Sequence, residues 1–244
     1  MEILKLARSL PSNHAVYGLQ APGFDGGEKP LQHVEDLADV YLPALREVQP
    51  HGPYLLIGYS FGGVVMMEIA HRLHSCGEKI ALLAMLDGFP HRDTLSIRPR
   101  ISLFSAIAKR HAKKLSTLPM RKRIGYLLSR AERDKAFPNN GMDSDPPDSG
   151  LLPGHETKRY IEAGMAALRS YRPHFYPGKI KFVRATKPHA ALPADPKAVW
   201  EDLVEGIEID PVPGDHYEVV TTYYREVSII LSRYLNAAIS ETRQ

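Results

Sequence analysis

The pentapeptide Gly58-Tyr59-Ser60-Phe61-Gly62 constrains this chain more than any other feature, because of what flanks it. Tyr54-Leu55-Leu56-Ile57 is short and almost wholly apolar, as a strand buried on both faces of a parallel sheet must be. Phe61 to Leu73 carries the apolar residues of a helix. A G-x-S-x-G sequence between a strand and a helix makes the chain turn sharply and holds its serine in strained backbone geometry. On this reading a side chain at Gly58 or Gly62 would collide with neighbouring backbone. Ser60 stands at the start of the helix, where the dipole and the free amides, beginning with that of Phe61, favour negative charge. The alternative is a glycine-rich strand-helix turn with no chemistry.

The rest of the chain alternates β-rich and helical runs, which predicts an α/β fold with a mainly parallel sheet flanked by helices. Met1 to Leu10 reads as the end of a helix, Ala15 to Leu19 as a strand, and Ala21 to Pro30 as a loop. Val34, Leu37, Ala38, Tyr41, Leu42, Leu45 and Val48 recur at helical spacing. Ile80 to Leu86 is a second buried strand, ending at Asp87. Strands return at Ile180 to Ala185 and Ile207 to Val212, with a helix around Pro196 to Val204 between them. A last helix runs from about Tyr223 to Ala238. Between the second and third of the buried strands lies a long block, about 91–170, that reads as helices interrupted by the Pro-, Asn-, Gly- and Asp-rich stretch from Phe137 to Pro153. We expect one domain over 1–244, with a core of 1–90 and 171–244 and a helical lid at about 91–170.

A serine hydroxyl needs a base, and the base needs an orienting acid. Asp87 follows the strand after the nucleophile helix, and neighbouring parallel strands present their ends on one rim. A helix-cap or turn role is its alternative. Among the 11 histidines, His216 has the best context. It lies in Pro213-Gly214-Asp215-His216-Tyr217, a loop after a late strand that opens toward the final helix. His91, close to Asp87 in sequence, and His189, after another strand end, are rival bases. His71 and His74 sit on the helix after Ser60, away from the strand ends. The resulting order is Ser60, Asp87, His216. No metal site is expected, since no third ligand has suitable spacing.

Composition narrows the field further. No run approaches the roughly 18 apolar residues of a membrane span, and Glu2, Lys5 and Arg8 interrupt the N-terminus, so a cytoplasmic protein is expected. The single cysteine, Cys76, allows no internal disulfide. The formal net charge of +3 is too small to imply nucleic acid, but it is unevenly spread. From Thr94 to Ala131 there are 10 basic residues and no Asp or Glu, running from Arg98 to Arg130. Aromatics are sparse there, which argues against nucleic-acid binding.

Val16-Tyr17-Gly18-Leu19-Gln20-Ala21-Pro22-Gly23 and the run from Gly52 to Gly63 resemble the thioesterase domains that end nonribosomal peptide synthetases and polyketide synthases. Those domains are α/β-hydrolases. Leu86-Asp87-Gly88-Phe89-Pro90 resembles their acid segment and Gly214-Asp215-His216 their histidine loop. The likeness spans almost the whole chain apart from the 91–170 block, where that family carries its lid. Phe61 after the serine and the early position of Asp87 favour the synthase-terminal type over free-standing editing thioesterases. The resemblance implies catalysis by Ser60, Asp87 and His216, with the Phe61 N–H in the oxyanion hole and no cofactor of the domain's own. The substrate would be an acyl or peptidyl thioester on the phosphopantetheine of a carrier protein, released by hydrolysis or cyclisation. The basic stretch Arg98–Arg130 suits an acidic carrier domain or the phosphate of its arm. A solvated basic helix face is the alternative.

The family normally begins with another strand and a loop that offers a second oxyanion amide. Here Met1 aligns with the following helix, so that N-terminal strand is expected to be missing, and losing one donor costs about 10²–10³ in rate. Other outcomes are a carboxylesterase or lipase on small esters, or an N-terminally truncated, weakly active docking module.

Overall fold

The computed structural model describes residues 2–10, 15–23, 28–125, 128, 155–187 and 192–242. His189, Arg130 and the stretch from Phe137 to Pro153 lie outside the described residues. In order, the described elements are α1 (Glu2–Ser9), α2 (Val34–Val48), β1 (Tyr54–Tyr59), α3 (Phe61–Ser75), β2 (Ile80–Leu86), a 3₁₀ turn (Arg92–Thr94), α4 (Ile97–Thr117), α5 (His155–Ser170), β3 (Tyr176–Ala185), α6 (Pro196–Trp200), β4 (Val204–Val212), α7 (Glu218–Thr221) and α8 (Tyr224–Thr242). The described strands form one parallel sheet in the order β1-β2-β3-β4.

Alternation along the central strands puts a core on each face of the sheet. Leu83 and Met85 of β2, with Ile180 and Phe182 of β3, pack against α2 and α3 through Leu37, Val64, Met67 and Ile69. The intervening Leu82, Ala84, Leu86, Val183 and Ala185 pack on the other face against Leu6 of α1, Val219 of α7 and Leu231 and Tyr234 of α8. Strands covered on both faces must be apolar at every position, which is why β2 reads as a continuous apolar run. Among the described residues, no helix is long and apolar enough to cross a membrane.

Three differences from the sequence reading have physical causes. Ala15 to Leu19 is not a strand: its backbone joins no ladder, and Val16 and Tyr17 are exposed. An extended run becomes a strand only where a neighbour offers free ladder groups, and β1, at the edge of the described sheet, pairs with β2 alone. Strands β3 and β4 begin earlier than their apolar patterns, at Tyr176 and Val204, because these two residues pair with each other. The helix around 196–204 ends at Trp200, where Glu201 N–H closes the last turn and Leu203 N–H bonds Trp200 O before β4 begins. Parts of the 91–170 block among the described residues reach the core. Leu95, Leu103, Ala163 and Ala167 are buried, and Tyr171 continues that contact.

Candidate active site

Ser60 and Asp87 each sit just beyond the end of a strand, and a backbone bond to the next strand pins each of them. Ser60 N–H donates to Leu86 O at 2.9 Å, extending the β1–β2 ladder by one residue. Asp87 N–H donates to Val183 O at 2.8 Å, extending β2 onto β3. Beyond β3 and β4, Thr186 N–H reaches Val212 O at 3.0 Å and Lys187 N–H reaches Gly214 O at 2.9 Å. The rim of the sheet therefore fixes where the Ser60 and Asp87 side chains leave the backbone and anchors the start of the loop that carries His216.

Ser60 has φ 53° and ψ −123°, and Asp87 has φ 50°. Positive φ is costly for residues with a Cβ, about 1–3 kcal/mol each, and persists only where surrounding structure imposes it. At the serine, that structure is glycine packing. A Cβ on Gly58 would lie 2.4 Å from Gly62 O and 2.5 Å from Gly63 Cα, and one on Gly88 would lie 2.8 Å from Ser60 O. The sequence reading is corrected at Gly62, where a Cβ would meet nothing within 4 Å. The close approach falls instead on Gly63, whose Cβ would sit 3.2 Å from Gly58 O. On a helix starting at Phe61, Gly62 points out of the turn and Gly63 points back at the strand.

The histidine loop is tied at both ends. Gly214 has φ +89°, and a Cβ there would meet the Tyr223 ring at 2.5 Å. Asp215 Oδ1 accepts from the N–H groups of Tyr217 at 3.1 Å and Glu218 at 3.0 Å, while Glu218 Oε2 accepts from Asp215 N–H at 2.8 Å. This reciprocal exchange is a capping box at the entrance to α7. Lys187 Nζ lies 3.2 Å from Asp215 Oδ2, which helps hold the Asp215 carboxyl below its ordinary range despite partial burial.

With the backbone so placed, His216 Nε2 lies 2.9 Å from Ser60 Oγ and His216 Nδ1 lies 2.8 Å from Asp87 Oδ2. Asp87 and His216 are both buried. The other Asp87 oxygen accepts from Ala185 N–H at 3.2 Å. A carboxylate facing Nδ1 fixes the tautomer in which Nε2 presents its lone pair to the hydroxyl, so the arrangement is suited to draw a proton from Ser60. The Phe61 N–H opens α3 beside it, and the Phe61 ring lies against Gly164 of α5.

Other histidines among the described residues are used elsewhere. His91 is buried, but its Nδ1 accepts from Asp93 N–H at 3.3 Å and caps the 3₁₀ turn. His71 stacks on His174 with centroids 5.1 Å apart, and His74 meets Tyr176 edge-on. These lie on the later turns of α3 or against them, beside a groove of about 430 Å³ that also touches Arg46, Glu68 and Arg72. Among the described residues, no three His, Cys, Asp or Glu side chains are grouped so as to hold a metal ion. Sequence reasoning missed Tyr59, which contacts His216 through both its ring and its hydroxyl. Its only signal was its place beside the serine.

Residues 4–100 match the Thioesterase domain family model. That match spans less than half of the chain. The chain is 42% identical over 85 residues to vanchrobactin synthetase VabF of Vibrio anguillarum, covering 35% of the chain and 3% of that protein. It is 40% identical over 86 residues to a dimodular nonribosomal peptide synthase of Bacillus subtilis (strain 168), covering 35% of the chain and 4% of that protein. The chain thus spans only a small part of these relatives' length. Its fold is similar to that of the type II thioesterase BorB from the borrelidin biosynthetic cluster, with TM-score 0.62 and 21% identity over 95% of this chain and 86% of the other.

Proposed function

We propose that this domain releases an acyl or peptidyl chain from the phosphopantetheine thioester of a carrier protein through a Ser60 acyl-enzyme. The observation that carries this is the hydrogen-bonded series Ser60–His216–Asp87 at the rim of a parallel sheet, with residues 4–100 similar to the Thioesterase domain model. In the first half-reaction Ser60 Oγ attacks the thioester carbonyl and His216 Nε2 takes its proton. Asp87 balances the imidazolium. The C–S bond then breaks, His216 protonates the departing sulfur, and an ester remains on Ser60. The Phe61 N–H donates to the carbonyl oxygen as it becomes negative. In the second half-reaction water, or a nucleophile within the bound chain, gives its proton to His216 and attacks the ester. Water yields the free acid and an internal nucleophile yields a ring. Ser60 recovers its proton. No cofactor is consumed.

The carrier protein is the partner in this reading, and the reaction takes place in the cytoplasm. Arg98, Arg100, Lys109, Lys113, Arg121 and Lys122 are exposed, which supports docking of an acidic carrier surface along the basic stretch. The test compares acyl-pantetheine thioesters, carrier-bound acyl chains and short nitrophenyl esters as substrates. Preferred turnover of the thioesters, abolished by Ser60→Ala, is expected. Preference for the nitrophenyl esters would overturn the thioesterase reading. Reversing Lys113, Arg121 and Lys122 to Glu should slow only the carrier-bound substrate. Unchanged turnover would remove the docking site.

A further inference from the structure

The residue before the nucleophile makes two separate contacts with the base. The Tyr59 ring stacks on the His216 imidazole with centroids 5.1 Å apart and planes 25° apart. Its hydroxyl donates to His216 O at 2.9 Å. One side chain therefore holds both the ring face and the main chain of the same histidine. It reaches that position because β1 alternates: Leu55, Ile57 and Tyr59 all point to the face that carries the histidine loop. Tyr217 meets the same imidazole edge-on, with centroids 5.6 Å apart.

We propose that Tyr59 is a positioning residue that sets the orientation of His216 and favours its charged form during acyl transfer. This rests on the Ser60–His216 reading above. The imidazole becomes a cation each time it takes the serine proton, and a stacked aromatic face attracts a cation through its quadrupole. The hydroxyl fixes the carbonyl from which the ring hangs, so the Nε2–Oγ distance does not depend on the loop alone. Burial, then the neighbouring Tyr217, Asp87 and Asp215, push the Tyr59 hydroxyl well above the ordinary phenol range. It remains a donor across the working pH range.

The experiment compares Tyr59→Phe, Tyr59→Trp and Tyr59→Leu on three readouts: kcat and KM for an acyl-pantetheine thioester, the rate of Ser60 labelling by a fluorophosphonate, and the low-field NMR signal of the His216 Nδ1 proton without substrate. Losing the hydroxyl alone should lower kcat about 3–5-fold, and losing the ring as well should lower it about 10–30-fold, with KM within about twofold. Tyr59→Trp should retain more activity than Tyr59→Leu, since it keeps a π face. The Nδ1 proton signal should persist in Tyr59→Phe and broaden in Tyr59→Leu. Equal activity in Phe and Leu variants, or an unchanged Nδ1 signal in Tyr59→Leu, would overturn the inference. A wild-type domain that neither labels nor turns over would instead defeat the acyl-enzyme reading, and the NMR comparison would still judge Tyr59.

Discussion

The carboxylate of Asp87 and the backbone of Ala185 are joined at 3.2 Å, through the oxygen that His216 does not use. The acid therefore leans on the end of the next strand while its other oxygen serves the histidine at 2.8 Å. Asp87→Asn keeps an acceptor for one neighbour only. If the amide oxygen stays on Ala185 N–H, the amide nitrogen faces His216 Nδ1 and forces the wrong tautomer. We expect kcat to fall about 10³–10⁴-fold with the fold intact. Steady-state thioester turnover and a circular-dichroism melt on the same sample check it.

The elbow glycines separate steric need from helix propensity. Gly58→Ala drives a methyl group to within 2.4 Å of Gly62 O, a contact that backbone must yield to. It should cost about 1–3 kcal/mol or more. Gly62 has open space and helical surroundings, so Gly62→Ala should instead stabilise by about 0.5–1 kcal/mol. Denaturant midpoints of the two variants measure the contrast. Destabilisation by both to the same degree would mean that the elbow relaxes as a unit.

What was legible in the sequence follows from what each signal depends on. Val34–Val48 and Ile80–Leu86 were readable to the residue because burial on one stripe, or on both faces, writes itself into consecutive positions. Ser60, Asp87 and His216 were readable as candidates because each follows a strand end, and parallel strands share a rim. Ala15–Leu19 failed because pairing belongs to two strands and the composition of one cannot supply the other. Gly62 failed because pentapeptide spacing does not say which glycine faces the strand. The Tyr59–His216 stack joins residues 157 apart, and nothing local to either forecasts it.

Glu68 offers a test of stability away from the chemistry. Its carboxylate is buried on α3, with Arg72 Nε at 2.6 Å and the Tyr171 hydroxyl at 2.8 Å. Tyr171 links α3 to the chain leaving α5, so this contact ties the inserted helices to the core. Tyr171→Phe removes a donor from a buried charge and should cost about 1–3 kcal/mol. Glu68→Ala should cost more, roughly 3–5 kcal/mol, if Arg72 is left partly buried without its partner, less whatever Asp39 restores. Thermal unfolding measures both, and fluorophosphonate labelling of the folded fraction should remain at the wild-type rate.

His91 makes the fold sensitive to acid. The ring is buried, its Nδ1 accepts from Asp93 N–H, and its Nε2 has no hydrogen-bond partner among the described residues. Burial lowers its pKa below the ordinary 6.5; Asp93 opposes this, while Arg169, Arg92 and Arg172 reinforce it. The unfolded chain therefore binds this proton at a higher pH than the native chain does. Stability from keeping the ring neutral is present above about pH 6.5 and is lost as pH falls through the native value. His91→Gln retains a polar side chain that does not titrate in this range. The wild-type denaturant midpoint should drop between pH 7.5 and pH 5 by more than that of His91→Gln, and the difference between the two curves should appear only below about pH 6.5. Parallel curves over that interval would show that the buried ring is not the group that takes up the proton on unfolding.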